Sequence, residues 1–100
     1  MEVGPKHANP MGIVHGGVLC DIGDAALSTA YMSTLEEGQL FTTVDLRINF
    51  LRPVRSGRVE AVDRVVHKGR NLGMAESEVT KGNGELVAKL SGTCMTLSEP

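Results

Sequence analysis

From Gly16 to about Glu37 the chain is apolar at almost every turn of a 3.6-residue repeat, and Gly38 supplies a stop. The spacing predicts a helix over 16–37. Its apolar residues (Val18, Leu19, Cys20, Ile22, Ala25, Ala26, Leu27, Ala30 and Tyr31) cover most of the circumference, which predicts burial on most sides. The repeat then shortens to two. Val44, Leu46, Ile48 and Phe50 alternate with Thr43, Asp45, Arg47 and Asn49, predicting a strand over 41–51 with one wet face. Residues 52–57 (Arg52-Pro53-Val54-Arg55-Ser56-Gly57) read as a turn. A second strand over 58–67 slips phase near Val62, where a bulge is expected. Gly69-Arg70-Asn71 breaks the chain before a third strand over 72–80. The segment 81–85 carries an Asn-Gly hairpin signal, and a fourth strand follows over 86–97.

A helix of about 20 residues and a strand of about ten are both about 30 Å long. Four consecutive antiparallel strands, arranged as a meander, can therefore wrap one central helix. The fold class is α+β, in a single domain over 1–100. One sheet cannot cover a helix that is apolar nearly all round, and the leftover surface predicts self-association.

Composition narrows the functions available. With 41% hydrophobic residues, three aromatics and no Trp, the core rests on Val, Leu, Ile, Ala and Met. The net charge of −2 is unevenly spread. Residues 1–46 carry only Lys6 against six acids, whereas residues 47–70 hold seven of the ten cations. That basic zone suits phosphate groups. Ordinary solvated strand surface is the bland alternative. Nucleic acid is a poor fit, because stacking aromatics are scarce and the rest of the chain is acidic. Cys20 and Cys94 do not form a disulfide framework and suit a reduced, cytoplasmic chain. The apolar run 18–32 is too short for a membrane span and contains Asp21 and Asp24.

The densest chemistry lies in Asn9-Pro10-Met11-Gly12-Ile13-Val14-His15-Gly16-Gly17 and the helix behind it. A glycine-containing turn feeds a helix N-terminus, which offers unpaired backbone N–H groups and a positive dipole end. Asp24 sits about two turns further in, where a carboxylate among apolar neighbours can act as base or nucleophile. The combination suggests attack on a polarised carbonyl. Asp21, Asp24 and Ser28 also make one polar stripe, which an exposed helix face would show equally well. His7 and His67 match no metal-ligand spacing, so neither a metal nor another cofactor is expected.

These residues resemble the hotdog-fold acyl-CoA thioesterases, in particular the phenylacetate-pathway (PaaI-like) branch. The resemblance rests on Asn9, Gly12-x-Val14-His15-Gly16-Gly17, Asp24, Thr42-Thr43-x-Asp45, Asn49-Phe50-Leu51-x-Pro53, Gly57 and Gly69-Arg70, in the family's order across nearly the whole chain. It implies an antiparallel sheet around one long helix and hydrolysis of an acyl- or aryl-CoA thioester to acid and CoA. Asp24 would activate water or attack the thioester. The Gly16 amide would polarise the carbonyl, with no side chain to obstruct the substrate's approach. Asn9 would orient water or thioester, His15 would fix the turn, and Thr43 or Ser28 would supply a supporting hydroxyl. The basic zone becomes the CoA nucleotide site, with Arg52, Arg55, Lys68, Gly69, Arg70 and Asn71 as candidates. The family shares each site between subunits of a homodimer or homotetramer, without membrane or nucleic-acid partners. It also places a helix and a full first strand ahead of the Asn9 segment. Here Met1 stands eight residues before Asn9, so a truncated first strand is expected, Met1–Val3 at most.

Two other readings compete. A hotdog hydratase requires His five residues after its Asp, but Ala26 and Thr29 hold those places after Asp21 and Asp24. A non-catalytic acyl-CoA-binding or sensor module keeps the fold and lacks turnover.

Overall fold

The computed structural model describes residues 1–98; Glu99 and Pro100, the end of the expected domain, lie outside the described residues. A short strand β1 (Glu2–Val3) and a 3-10 turn (Pro5–His7) lead to one helix, α1 (Gly16–Met32). Four long strands follow: β2 (Gln39–Phe50), β3 (Gly57–Lys68), β4 (Leu72–Lys81) and β5 (Leu86–Ser98). The strand boundaries lie within two residues of those the alternation predicts.

The helix is shorter than predicted. It stops at Met32 because Ser33 and Thr34 turn their hydroxyls back onto the Ala30 and Tyr31 carbonyls, each at 2.6 Å. Such bonds offer the backbone an alternative to the helical ladder. Nor is the helix buried on most sides of this chain. Leu19, Gly23, Leu27 and Tyr31 form its buried stripe, while Ala25, Thr29 and Met32 face outward.

All sheet pairings are antiparallel, in the order β1-β3-β4-β5-β2. The expected meander holds only for β3, β4 and β5. β2 does not pair with β3; it runs along β5 from Gln39 opposite Ser98 to Phe50 opposite Ala88. The segment 51–56 is accordingly a crossover with its own anchors. The Leu51 and Arg52 amides both donate to the Val87 carbonyl (2.8 and 3.3 Å), and the Val14 amide donates to the Val54 carbonyl (2.7 Å). Val54 is buried beneath it. Alternation fixes which face a strand buries but not which strand lies beside it.

The bulge expected near Val62 occurs instead between Val65 and His67, and another falls between Thr43 and Asp45. This second bulge reverses the phase of β2. Phe41 is half-buried before it and Leu46 and Ile48 after it, while Val44 is left 53% exposed. The helix lies against the concave face of the sheet, whose buried positions include small residues: Gly73, Ala75 and Ser77 on β4, Ala88 and Gly92 on β5. Close approach is needed at Gly23, where any β-carbon would run into the Leu90 side chain. The buried Ser77 hydroxyl donates to the Gly23 carbonyl at 2.9 Å and ties α1 to β4. Among the described residues, the outer edge of β2 has no strand beside it. Leu40, Val44, Phe50 and Leu51 on and just after β2 are all more than half exposed.

Candidate active site

The turn before α1 is built by Asn9. Its side-chain oxygen accepts from the Met11 and Ile13 amides (2.9 and 3.1 Å), and its own amide donates to the Ile13 carbonyl (2.8 Å). Gly12 completes the turn at φ 77°, a backbone conformation that glycine adopts without cost. The Asn9 oxygen is therefore spent on the turn, and only its NH2 group is free to face a ligand.

His15 is the N-cap of α1. Its backbone does the positioning: the amide donates to the His7 carbonyl (2.9 Å) and the carbonyl accepts from Val18 (3.0 Å). Its imidazole is exposed and makes no capping bond. His7 is occupied locally, its Nδ1 accepting from the Gly4 amide at 3.0 Å. The Gly16 amide, next along, finds no acceptor among the described residues. It opens onto a cleft of about 470 Å³ whose lining includes Asn9, Ile13, Leu19, Phe50 and Leu51. The space beside Gly16 is not empty as expected, because the Phe50 ring occupies it.

Asp24 and Ser28 sit half-buried on the flank of α1, one turn apart, with the Ser28 hydroxyl 3.5 Å from the Asp24 carboxylate. The strand residue on this side is Thr43, which lies opposite Cys94 in the β2–β5 ladder. Burial, reinforced by the negative charge of Asp24 and Asp45, pushes the Cys94 thiol above its ordinary pKa, while its hydrogen bond with Thr43 works the other way. The partly covered Cys20 thiol is raised in the same manner, by burial first and then by Asp24 and Asp21. Neither thiol has the low pKa a nucleophile needs. Asp24 and Ser28 thus make one pair, with Thr43 set against Cys94 on the strand, and Asn9, Gly16 and the cleft make another group. Asp24 is eight residues beyond Gly16 on the same helix, about 12 Å along its axis.

The basic zone is divided as well. Arg52 is committed to the 81–85 hairpin, with its Nε 3.1 Å from Glu85 and its Nη1 2.7 Å from the Leu86 carbonyl. Arg55 reaches the Met11 carbonyl at 3.4 Å. Lys68 ends β3, whose twelve residues span about 40 Å, and Gly69, Arg70 and Asn71 follow it at that far end. The molecule measures 47 Å along its longest axis, so these groups stand near opposite ends. The candidate nucleotide-site residues therefore fall into two separate groups on one chain. Lys68 places its ammonium 5.5 Å from the centre of the Tyr31 ring. Gly69, Arg70 and Asn71 line a second cleft of about 480 Å³ with His67, Leu72 and Met74. Arg58 and Arg64 pair with Glu60 and Glu76 on the sheet surface. The described residues contain no cluster of three His, Cys, Asp or Glu able to hold a metal, and no helix long and apolar enough to cross a membrane.

Phe50 is the residue whose place here the alternation did not reveal. It reads as one more inward position on β2, and only the crossover brings its ring onto the start of α1.

Comparison with known proteins agrees with this architecture. Residues 11–88 match the thioesterase superfamily. Acyl-coenzyme A thioesterase 13 of Mus musculus is 30% identical over 91 residues, 89% of this chain and 64% of its own. The chain thus spans less than two thirds of the length of that relative. The crystal structure of thioesterase HI1161 from Haemophilus influenzae superposes with a TM-score of 0.92 at 31% identity, covering 98% of this chain and 68% of that one. The BH2602 protein from Bacillus halodurans, solved with CoA, gives a TM-score of 0.91 at 31% identity over 97% of this chain and 68% of its own. The helix start, the wrapped sheet and the order of the motifs place this chain in the thioesterase superfamily, with the hotdog fold.

Proposed function

We propose that the protein hydrolyses acyl-CoA thioesters, releasing a free acid and CoA. The observation that carries this reading is the unpaired Gly16 amide at the start of α1, opening onto an apolar cleft beside Asn9. Thioester hydrolysis develops negative charge on the carbonyl oxygen, and a fixed N–H at a positive helix end stabilises it. Loss of one such donor typically costs roughly 2.7–4 kcal/mol of barrier. Asp24 is the carboxylate that activates water or attacks the carbonyl, with Ser28 or Thr43 holding it or the water. The CoA carried by the Bacillus halodurans relative supports a CoA thioester as substrate.

Asp24 and Gly16 of one chain cannot serve one carbonyl across about 12 Å. The proposed site is therefore shared between two copies joined at the open edge of β2, in a dimer or in a tetramer built from such dimers. Antiparallel pairing about the middle of β2 sets the α1 start of one copy beside the β3–β4 end of the other. The Lys68–Asn71 segment of one subunit then serves the cleft of its neighbour, with Arg55 as the local cation. Arg52, already paired with Glu85, contributes least.

Thiol release from a panel of aryl- and medium-chain acyl-CoAs, wild type beside Asp24→Ala and Asp24→Asn, tests the reading. Hydrolysis by the wild type and a loss of at least about a hundredfold in kcat in both variants is expected. Binding of acyl-CoA without thiol release, unaffected by Asp24→Asn, would establish the non-catalytic binding module instead.

A further inference from the structure

Phe50 closes β2, and its ring reaches across to the first residue of α1. A β-carbon built on Gly16 would stand 2.7 Å from Cζ and 2.9 Å from Cε1 of that ring, closer than such carbons approach other atoms. The ring has filled the space the glycine leaves. It is nevertheless 55% exposed, because the rest of it borders the cleft and open solvent. The ring therefore stands beside the Gly16 backbone, on the wall of the same cleft that Gly16 lines.

We infer that Phe50 determines which acyl groups the site accepts, its ring being the wall against which the acyl chain lies. This rests on the thioesterase reading above. Two sides of the substrate compete for that wall. The pantetheine arm of CoA carries amides that need hydrogen-bond partners, and leaving them unpaired is costly. The cleft is lined mainly by apolar side chains, among them Ile13, Leu19, Leu51 and Pro53. Of its polar side chains, Arg52 is held by Glu85 and the Leu86 carbonyl, and Asn9 has its oxygen taken by two backbone amides and keeps only its NH2 group. A hydrocarbon chain needs no such partners, and burying it is favourable. The acyl side fits. Phe50 moves no proton and bonds to no reacting atom; it sets the room beside the carbonyl.

The test is the ratio of kcat/KM between acyl-CoAs on one preparation, since a loss of folded protein cancels from that ratio. Acetyl-, hexanoyl-, decanoyl- and benzoyl-CoA are assayed with wild type, Phe50→Ala, Phe50→Leu and Gly16→Ala. Phe50→Ala is expected to raise the decanoyl-to-hexanoyl ratio by about tenfold, the scale on which apolar pockets discriminate methylenes. Phe50→Leu should give a smaller change. Gly16→Ala should shift the ratio in the same direction without truncating the ring, because the new methyl group pushes the ring from its seat. If Phe50→Ala does not fold, Phe50→Leu and Gly16→Ala carry the measurement. An active enzyme whose ratios are unchanged in these variants overturns the role of Phe50 and leaves the thioesterase reading standing. A wild type that releases no thiol from any of the four overturns both.

Discussion

Asn9 holds two duties in one side chain. Its oxygen closes the turn through the Met11 and Ile13 amides, and in the proposed site its NH2 group is left to meet the substrate. The duties separate by substitution. Asn9→Asp keeps an acceptor for both amides and removes the donor, so stability should change by no more than about 0.5 kcal/mol while kcat/KM falls. Asn9→Ala removes both, and should lower stability by about 1–2 kcal/mol in addition. Urea midpoints and thiol-release rates on the two variants check this. Equal loss of activity and stability in both would mean that the residue only builds the turn. At this scale the helix start and Asp24 were legible as a spacing of residue types, whereas the roles expected of Asn9 and Gly16 came from the resemblance to the thioesterases. Their hydrogen-bond partners were legible only in the fold. Nothing in the sequence says that Arg52 is held by Glu85, because that contact depends on β5 bringing the 81–85 hairpin beside the crossover.

Element lengths were readable from the period of the hydrophobic pattern, and their ends and neighbours less so. The glycine stop at Gly38 is real, with φ 81°, but two hydroxyls had already closed the helix at Met32. The bulge between Thr43 and Asp45 was hidden because Val44 keeps the apparent alternation going while standing exposed. The ladder around that bulge holds Cys94, fully buried opposite Thr43. The raised pKa of Cys94 means that the folded chain keeps a proton that the unfolded chain releases once pH passes the ordinary thiol value of 9.0. Folded protein then binds more protons than unfolded, so stability falls as pH rises further. The steepest possible loss is about 1.4 kcal/mol per pH unit for one group. Cys94→Ala should be less stable than wild type at pH 7, from the small cavity, but should decline less steeply above pH 9.0. Denaturant midpoints between neutral pH and pH 10 measure the two slopes. Parallel declines would show that burial of this thiol carries no penalty.

The whole molecule presents a mismatch of lengths. Its two proposed catalytic groups stand about 12 Å apart along one helix axis, whereas a thioester carbonyl must meet the Gly16 amide directly and Asp24 directly or through one water. The open edge of β2 and its exposed apolar residues offer a way to bring in a second copy. Complementation between two inactive variants tests that arrangement. Asp24→Ala removes the carboxylate. Gly16→Pro removes the N–H, and proline is well accepted as the first residue of a helix. His15 already has φ −55° and ψ 135°, the region that a following proline demands, and the exposed Phe50 ring has room to swing aside. Each variant alone lacks one group at every site and should be nearly inactive. When the two are mixed and allowed to exchange subunits, half the pairs are hybrids, and each hybrid has one intact site. Activity should therefore return to about a quarter of wild type under two-fold symmetry with random pairing. If both groups served a site within one chain, no hybrid would contain an intact site and the mixture would stay at background. Val44→Lys provides the control. In the proposed dimer this residue, near the middle of β2, lies close to its own copy across the two-fold axis, so the substitution sets like charges together. Light scattering should then report single chains, and adding this change to both variants should abolish the recovery.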